Sequence, residues 1–376
     1  MFRFDRRLIT NFDWVMLLIL IFISAMAMVN LYSSTWRGGP VGSPIFYKQL
    51  YMYLVGFALI LVIVSFDYSE LELFGYIFYV LIILTLAYTT FFVDTVAGTQ
   101  RWIKLGFFNL QPSEPAKLIL VIVLAAHYSN DKVSLQKGYG LLDLLKPALL
   151  TMVPFILIFK QPDLGTALML IILLVSMTLL LKLRKSAIIS ILATTIPIAF
   201  IGWNFLLKAY QKRRILTFLN PEGDKANHGY QIMQSKIAVG SGQSFGKGFL
   251  EGTQGHLQFL PERHTDFAFS VWGEEWGFTG CLIFLGCYFF MLAWGILTAI
   301  TARDKFGMMM AFGLVMLIFW QAVINLFMIM GLLPVVGIPL PLFSYGGSSL
   351  LTTIISIGIL ISIRMRGFPD QSLHHS

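Results

Sequence analysis

Leu257-Gln-Phe-Leu-Pro-Glu-Arg-His-Thr-Asp-Phe267 joins a polar loop to an apolar run that continues to about residue 300. That run exceeds the roughly 20 residues that a helix needs to cross a bilayer. Glu262, Arg263, His264 and Asp266 stand directly before it. An acid at the edge of a membrane helix is costly unless it is used, so Asp266 is a candidate functional residue.

The composition is that of a membrane protein. Of the 376 residues 57% are hydrophobic and 12% are charged, whereas a soluble domain carries about 25% charged residues. The net charge of +8 does not require a nucleic-acid partner, because basic residues collect on cytoplasmic loops. The two cysteines, Cys281 and Cys287, lie in one apolar run and exclude both a disulfide framework and a cysteine-based zinc site.

Ten apolar runs of spanning length predict an all-α polytopic membrane protein with about ten transmembrane helices, as a single domain over 1–376. The runs are 14–32, 48–66, 73–92, 113–129, 143–159, 164–182, 186–206, 268–300, 307–332 and 347–364. The distribution of Lys and Arg places both termini in the cytoplasm. The large loop 207–267, between helices 7 and 8, is then extracytoplasmic, and the first run is an uncleaved helix.

Asp266 has two interpretations that do not exclude each other. It can act as a general base or charge stabiliser at the membrane surface. It can also cap the helix that begins near Phe267, because aspartate is a preferred N-cap residue.

Glu114 and Lys117 are three residues apart at the start of the fourth run, behind Pro112. Residues at this spacing meet on one helix face. The pair is either a local ion pair or a cavity-facing pair that positions a polar substrate, with Lys117 able to meet phosphate. Two charges inside a membrane helix favour the second interpretation.

Four further residues are candidates for substrate binding. Asp163 lies in a short link with turn chemistry, or it faces the same cavity as Asp266. Arg101 can bind phosphate in a forked geometry, and Lys236 is a basic residue on the outside, against the positive-inside trend. His264, together with His256, Glu262 and Asp266, fits no strong metal template; a divalent ion (Mg or Mn) that bridges an acid and a pyrophosphate stays open.

Three other features lie in or between the last apolar runs. Glu274 and Glu275 cannot both face lipid cheaply, so we expect one to point into the bundle and one to reach the interface. Asn325 can join two helices through a hydrogen bond. The segment 331–349 is broken by Pro and Gly, and irregular backbone at membrane depth is tolerated inside protein or along a wet cavity.

Seven motifs, spread in order over essentially the whole chain, resemble the SEDS family (shape, elongation, division and sporulation). They are 111–117 (Gln-Pro-Ser-Glu-Pro-Ala-Lys), 161–166, 229–235, 240–242, 260–267, 273–277 and 344–349. Arg263 and the segments 220–224 and 333–341 are similar to the elongation members, since the division members usually have Ala or Ser at the position of Arg263.

The resemblance implies a peptidoglycan glycosyltransferase that polymerises lipid II, a disaccharide-peptide on undecaprenyl pyrophosphate. It implies Asp266 as the essential aspartate and Glu114 and Lys117 as functional residues of the fourth helix. It also implies a class B penicillin-binding protein as partner, bound through helices 8 and 9, and the bacterial inner membrane as location. A lipid II flippase and a recruiting scaffold are the rival functions.

Overall fold

The computed structural model describes residues 11–36, 42–93, 101–104, 106, 109–131, 138–219, 228–253, 260 and 262–367. Several residues of the sequence interpretation lie outside these ranges, namely His256, residues 257–259 and 261 of the stretch 257–267, and the segment 220–224. The described chain is mostly helical, as predicted, and it includes one two-stranded antiparallel sheet.

The helices follow the apolar runs of the sequence closely. They are α1 Trp14–Thr35, α2 Pro44–Ser65, α3 Glu70–Phe92, α4 Ser113–Asn130, α5 Leu145–Lys160, α6 Leu164–Leu179, α7 Lys185–Ile201, α8 Ala209–Leu219, α9 His228–Ser241, α10 Ala268–Ile300, α11 Lys305–Ile329 and α12 Gly347–Met365. A π-turn, Gly202–Leu206, extends α7, and strands β1 Ile103–Lys104 and β2 Asn109–Leu110 pair antiparallel. Six helices in the described ranges (α1, α2, α3, α10, α11, α12) are long and apolar enough to cross a membrane.

Helix α4 lies in the centre of the bundle and α3 lies on its outside. Most side chains of α4 are buried, including Glu114 and Lys117, whereas α3 presents exposed residues such as Leu73 and Phe92. A helix surrounded by protein can carry polar side chains that a lipid-facing helix cannot. Its position inside the bundle therefore allows α4 to carry the charged side chains of Glu114 and Lys117.

Glycines let the central helices approach each other. A Cβ added at Gly313 of α11 would stand 2.6 Å from Val121 of α4, and one at Gly56 of α2 would stand 2.5 Å from Ile354 of α12. Lipid tails are as apolar as the side chains, so the hydrophobic effect does not drive membrane helices together. They associate instead through close van der Waals contact of this kind.

Helix α10 is broken near its start. Gly277 has φ 63° and ψ −161°, a conformation outside the helical region. The segment after α9 inserts at this break: the amide of Phe278 donates to the carbonyl of Gln243 at 2.8 Å, and the amide of Lys247 donates to the carbonyl of Glu274 at 3.0 Å. The loop thus replaces the helix hydrogen bonds that the break removes, and it fixes the first turns of α10.

Candidate active site

Asp266 stands on the turn that leads into α10. Residues 262–267 form turns, and the amide of Phe267 donates to the carbonyl of Glu262 at 3.3 Å. Phe267 is the N-cap residue of α10, and no side chain completes that cap. The structure therefore does not give Asp266 the capping role, and among the described residues none donates a hydrogen bond to its carboxylate.

The backbone around Asp266 is tied to α11 and to the segment between α11 and α12. The side-chain amide of Asn325 donates to the carbonyl of Asp266 at 2.9 Å and to the carbonyl of Ile338 at 2.8 Å. The amide of Tyr345 donates to the carbonyl of His264 at 2.8 Å. Gly337, at φ 75°, lies beside the carboxylate, and a Cβ added there would stand 3.6 Å from Asp266 Oδ2. The Asp266 turn is thus held at two points by the bundle.

The surroundings of Asp266 favour its neutral form. Burial, and after it the negative charges of Glu262 and Asp163, raise the pKa of Asp266 to about 6 against the opposing effect of Arg214. As a residue Asp266 is nevertheless only partly buried. A carboxylate with a pKa near the working pH is suited to take up and release a proton.

Asp163 and Arg101 form one structural unit. Asp163 is the N-cap of α6, accepts from the amide of Thr166 at 3.4 Å, and pairs with Arg101 at 3.8 Å. The Arg101 guanidinium also donates to the carbonyl of Gln161 at 3.1 Å and to that of Pro162. Asp163 thus has the capping role, and its charge raises the pKa of Asp266; that it faces a cavity shared with Asp266 stays a prediction.

Glu114 and Lys117 form the expected pair on α4. Lys117 Nζ lies 2.8 Å from Glu114 Oε1, and both side chains are buried. The second oxygen, Glu114 Oε2, is buried and has no hydrogen-bond partner among the described residues. A buried acceptor without a partner is costly, so Glu114 has capacity to bind a donor group of a ligand.

His264 lies beside Asp266 in the chain, whereas Lys236 lies on α9. The ring of His264 is 5.8 Å from the ring of Tyr345, and burial lowers the pKa of the imidazole. The exposed Lys236 side chain passes over Gly331, where an added Cβ would stand 2.7 Å from its Nζ. The structure thus places Lys236 against the start of the segment between α11 and α12.

The expectation for Glu274 and Glu275 was wrong in one respect. Both side chains are buried, at 0% and 1% exposure, and neither reaches the interface. Glu274 pairs with Lys247 at 2.6 Å, and Glu275 accepts from the hydroxyl of Ser33. The loop inserted at Gly277 supplies the cation, Lys247, which the spacing of residues along α10 could not reveal.

Sequence reasoning also missed the partners of Asn325 and the influence of Arg214 on Asp266. A polar residue in an apolar run was the signal for Asn325, but its partners are two carbonyls outside helices.

Among the described residues no group of three His, Cys, Asp or Glu side chains can hold a metal ion.

Known proteins share this chain's family and fold. Residues 9–367 match the family model for the FtsW, RodA and SpoVE cell cycle proteins. The peptidoglycan glycosyltransferase MrdB of Escherichia coli is 36% identical over 94% of this chain and 93% of its own length. The peptidoglycan glycosyltransferase RodA of Treponema pallidum is 32% identical over 95% of this chain and 98% of its own.

Two solved structures resemble the bundle closely. One, described as showing structural coordination of polymerization and crosslinking by a peptidoglycan synthase complex, has a TM-score of 0.80 at 29% identity and covers 96% of this chain and 99% of that chain. The crystal structure of the rod shape determining protein RodA of Thermus thermophilus has a TM-score of 0.70 at 27% identity and covers 96% and 98%. This multi-pass membrane protein therefore belongs to the FtsW/RodA/SpoVE family, the SEDS family to which its motifs pointed.

Proposed function

We propose that this protein is a peptidoglycan glycosyltransferase that polymerises lipid II into β-1,4-linked glycan strands, with Asp266 as general base. The main observation behind the proposal is the environment of Asp266. Its backbone is fixed by Asn325, the residue is only partly buried, and its pKa is raised to about 6. The names of the relatives MrdB and RodA support the glycosyltransferase activity.

The reaction requires one base and one displacement. The 4-hydroxyl of the acceptor sugar is a poor nucleophile, and a carboxylate that removes its proton accelerates such a step about 10²–10⁴-fold. The hydroxyl oxygen forms a bond to the anomeric carbon of the donor, and the bond from that carbon to the pyrophosphate oxygen breaks. The proton passes to Asp266, and the lipid pyrophosphate leaves with the electron pair. Attack opposite an α-linked leaving group gives the inverted β link.

The leaving pyrophosphate needs positive charge rather than a proton. We assign Lys117 and Arg101 to this role, with Lys236 as a further cation at the outer surface. Both Lys117 and Arg101 already pair with an acid, so a bound pyrophosphate would compete with Glu114 and Asp163 for them. Glu114 Oε2 and the His264 imidazole are available to bind polar groups of the substrate.

A divalent cation, Mg or Mn, that bridges an acid and the pyrophosphate would share one or two carboxylates and neutralise charge on the leaving group, as magnesium commonly does. Chelation with EDTA tests this point, because a reaction that relies on Lys117 and Arg101 alone proceeds without added metal.

The proposal includes the full membrane topology. We place ten crossings at α1 to α7 and α10 to α12, in one domain over 1–376. The bacterial cytoplasmic (inner) membrane is the location, with both termini cytoplasmic and the loop 207–267 outside. Helix α8 is amphipathic, and a helix of this kind is suited to the membrane interface. Its Lys212 Nζ lies 5.9 Å from the ring centre of Trp203. Cysteine labelling from each side of the membrane tests the arrangement.

We also propose a class B penicillin-binding protein as partner, bound along α10 and α11, the eighth and ninth crossings. Large apolar side chains are exposed there, among them Phe278 at 68% and Phe289 at 75%. The similar synthase complex coordinates polymerization with crosslinking, which supports a transpeptidase partner.

A flippase is the alternative function, and the glycosyltransferase relatives do not favour it.

The decisive experiment incubates purified protein, with and without a co-purified penicillin-binding partner, with lipid II in detergent. Wild type should give glycan ladders, and Asp266→Asn, folded and partner-bound, should give none. Glu251→Gln removes an exposed acid of the same loop and should match wild type. Equal ladders from wild type and Asp266→Asn would refute the assignment of the base.

A further inference from the structure

A groove of about 730 Å³ begins beside the Asp266 turn and runs along the first turns of α2. Its lining includes Thr265, Tyr345, Tyr47, Tyr51, Trp102 and Asn109. Thr265 is the chain neighbour of Asp266, and the amide of Tyr345 donates to His264. The groove is therefore continuous with the candidate active site, and its volume lies in the usual range for ligand sites, about 300–1,000 Å³.

The walls of the groove are fixed to one another. The side-chain amide of Gln49 on α2 donates to the carbonyl of Ser344 at 3.4 Å, and its oxygen accepts from the amide of Gly346 at 3.4 Å. Ser348 at the start of α12 accepts from the amide of Gln111 at 3.0 Å and donates to the carbonyl of Asn109 at 3.1 Å. A groove with such walls is largely formed before a ligand binds, which lowers the entropic cost of binding.

Aromatic rings dominate the open side of this groove. Tyr47 and Tyr51 stand four residues apart on one face of α2, each 52% exposed, and Trp102 is 36% exposed. A pyranose ring has an apolar face of C–H groups and a rim of hydroxyls. Tyrosine matches both parts, with a flat ring and a polar O–H, and Asn109 offers amide groups at the same surface. Gln49 and Lys48 also line the groove, so flat rings and polar groups stand side by side, as a sugar ring with hydroxyls on its rim requires.

We propose that this groove holds the lengthening glycan strand, in particular the sugars beyond the unit that reacts at Asp266. The assignment rests on the proposed glycan polymerase function. A strand held here stays on the protein after each coupling, so the reacting end is presented again without a new encounter. Tyr47 and Tyr51 are strand-binding residues, not catalytic residues, because they line the groove and have no part in the proton transfer to Asp266.

The test separates the first coupling from strand length. Purified wild type, Tyr47→Ala, Tyr51→Ala and the double variant receive lipid II, and both the rate of the first coupling and the strand-length distribution are measured. The first coupling should stay within about twofold of wild type. The strands of the double variant should shorten about three- to tenfold, the effect of losing roughly 1 kcal/mol of ring contact. Tyr47→Phe and Tyr51→Phe keep the rings and should keep long strands.

Matched controls come from α3, where Tyr76 and Tyr88 are also exposed but lie outside the groove. Tyr76→Ala and Tyr88→Ala should give wild-type strands. Unchanged strand length in the Tyr47/Tyr51 double variant would overturn the proposal and leave these rings as interfacial anchors. An equal fall of first coupling and length would also overturn it. Polymer from Asp266→Asn would instead refute the proposed base, and absence of polymer from wild type with its partner would refute the polymerase function itself.

Discussion

Replacing Asn325 by alanine should impair catalysis more than it impairs the fold. One side-chain amide holds both the carbonyl of Asp266 and the carbonyl of Ile338, and Asn325 is 0% exposed. Its removal leaves two carbonyls without this donor. A buried acceptor without a partner costs about 1–3 kcal/mol, so the two together set an upper range of roughly 2–6 kcal/mol.

The bundle can reduce that cost by moving, and movement is what damages the site. If the turn at Asp266 shifts until its carbonyl finds another donor, the carboxylate shifts with it. A displacement of about 1 Å at a catalytic group can lower the rate about 10²-fold. We therefore expect a modest fall in melting temperature together with a large fall in the rate of lipid II polymerisation.

The assay compares Asn325→Ala with Gln321→Ala in detergent, by thermal unfolding and by initial rate at saturating lipid II. Gln321 is buried one turn earlier on α11, and it makes no hydrogen bond to the Asp266 turn within the described residues. Both variants lose a buried amide, but only Asn325→Ala releases that turn. Equal rates for the two variants at equal stability would refute the reasoning.

Three further predictions follow from the same structure. Polymerisation should rise with pH through about 6, because the base acts in its ionised form and the Asp266 pKa is about 6; a flat profile between pH 5 and 8, measured by initial rates, would contradict this. Lys117→Met should lower stability by about 3–5 kcal/mol in a denaturation assay by leaving Glu114 unpaired, and adding Glu114→Gln should restore stability but not activity. Gly246→Ala should destabilise the loop inserted at Gly277, because an added Cβ would lie 2.0 Å from a backbone oxygen and a positive φ costs about 1–3 kcal/mol; Gly240→Ala, with open space around it, is the control for melting temperature.

The sequence predicted the helices well because membrane helices are specified locally. Each needs a run of apolar residues, and length alone distinguishes such a run from a core helix. The pair of Glu114 and Lys117 was equally accessible, since a spacing of three residues on one helix fixes their contact. Asp266 was found because acids at the edge of an apolar run are rare and costly.

The contacts between distant segments were beyond the sequence. No periodicity connects Lys247 with Glu274, and so the burial of both acids of α10 was not predicted. The break at Gly277 was hidden too, because a glycine within an apolar run is compatible with an unbroken helix. Asn325 was identified as polar, but its partners depend on how the segment between α11 and α12 folds back.

The sequence by itself thus determined that this protein is a helical membrane protein with an acid at the start of α10, because apolar length and local spacing are properties of the chain. Only the tertiary structure decided how that acid works. Burial and the charges of Glu262 and Asp163 raise its pKa, and Asn325 fixes its backbone. These effects depend on distances between segments far apart in sequence, which packing of the whole bundle sets.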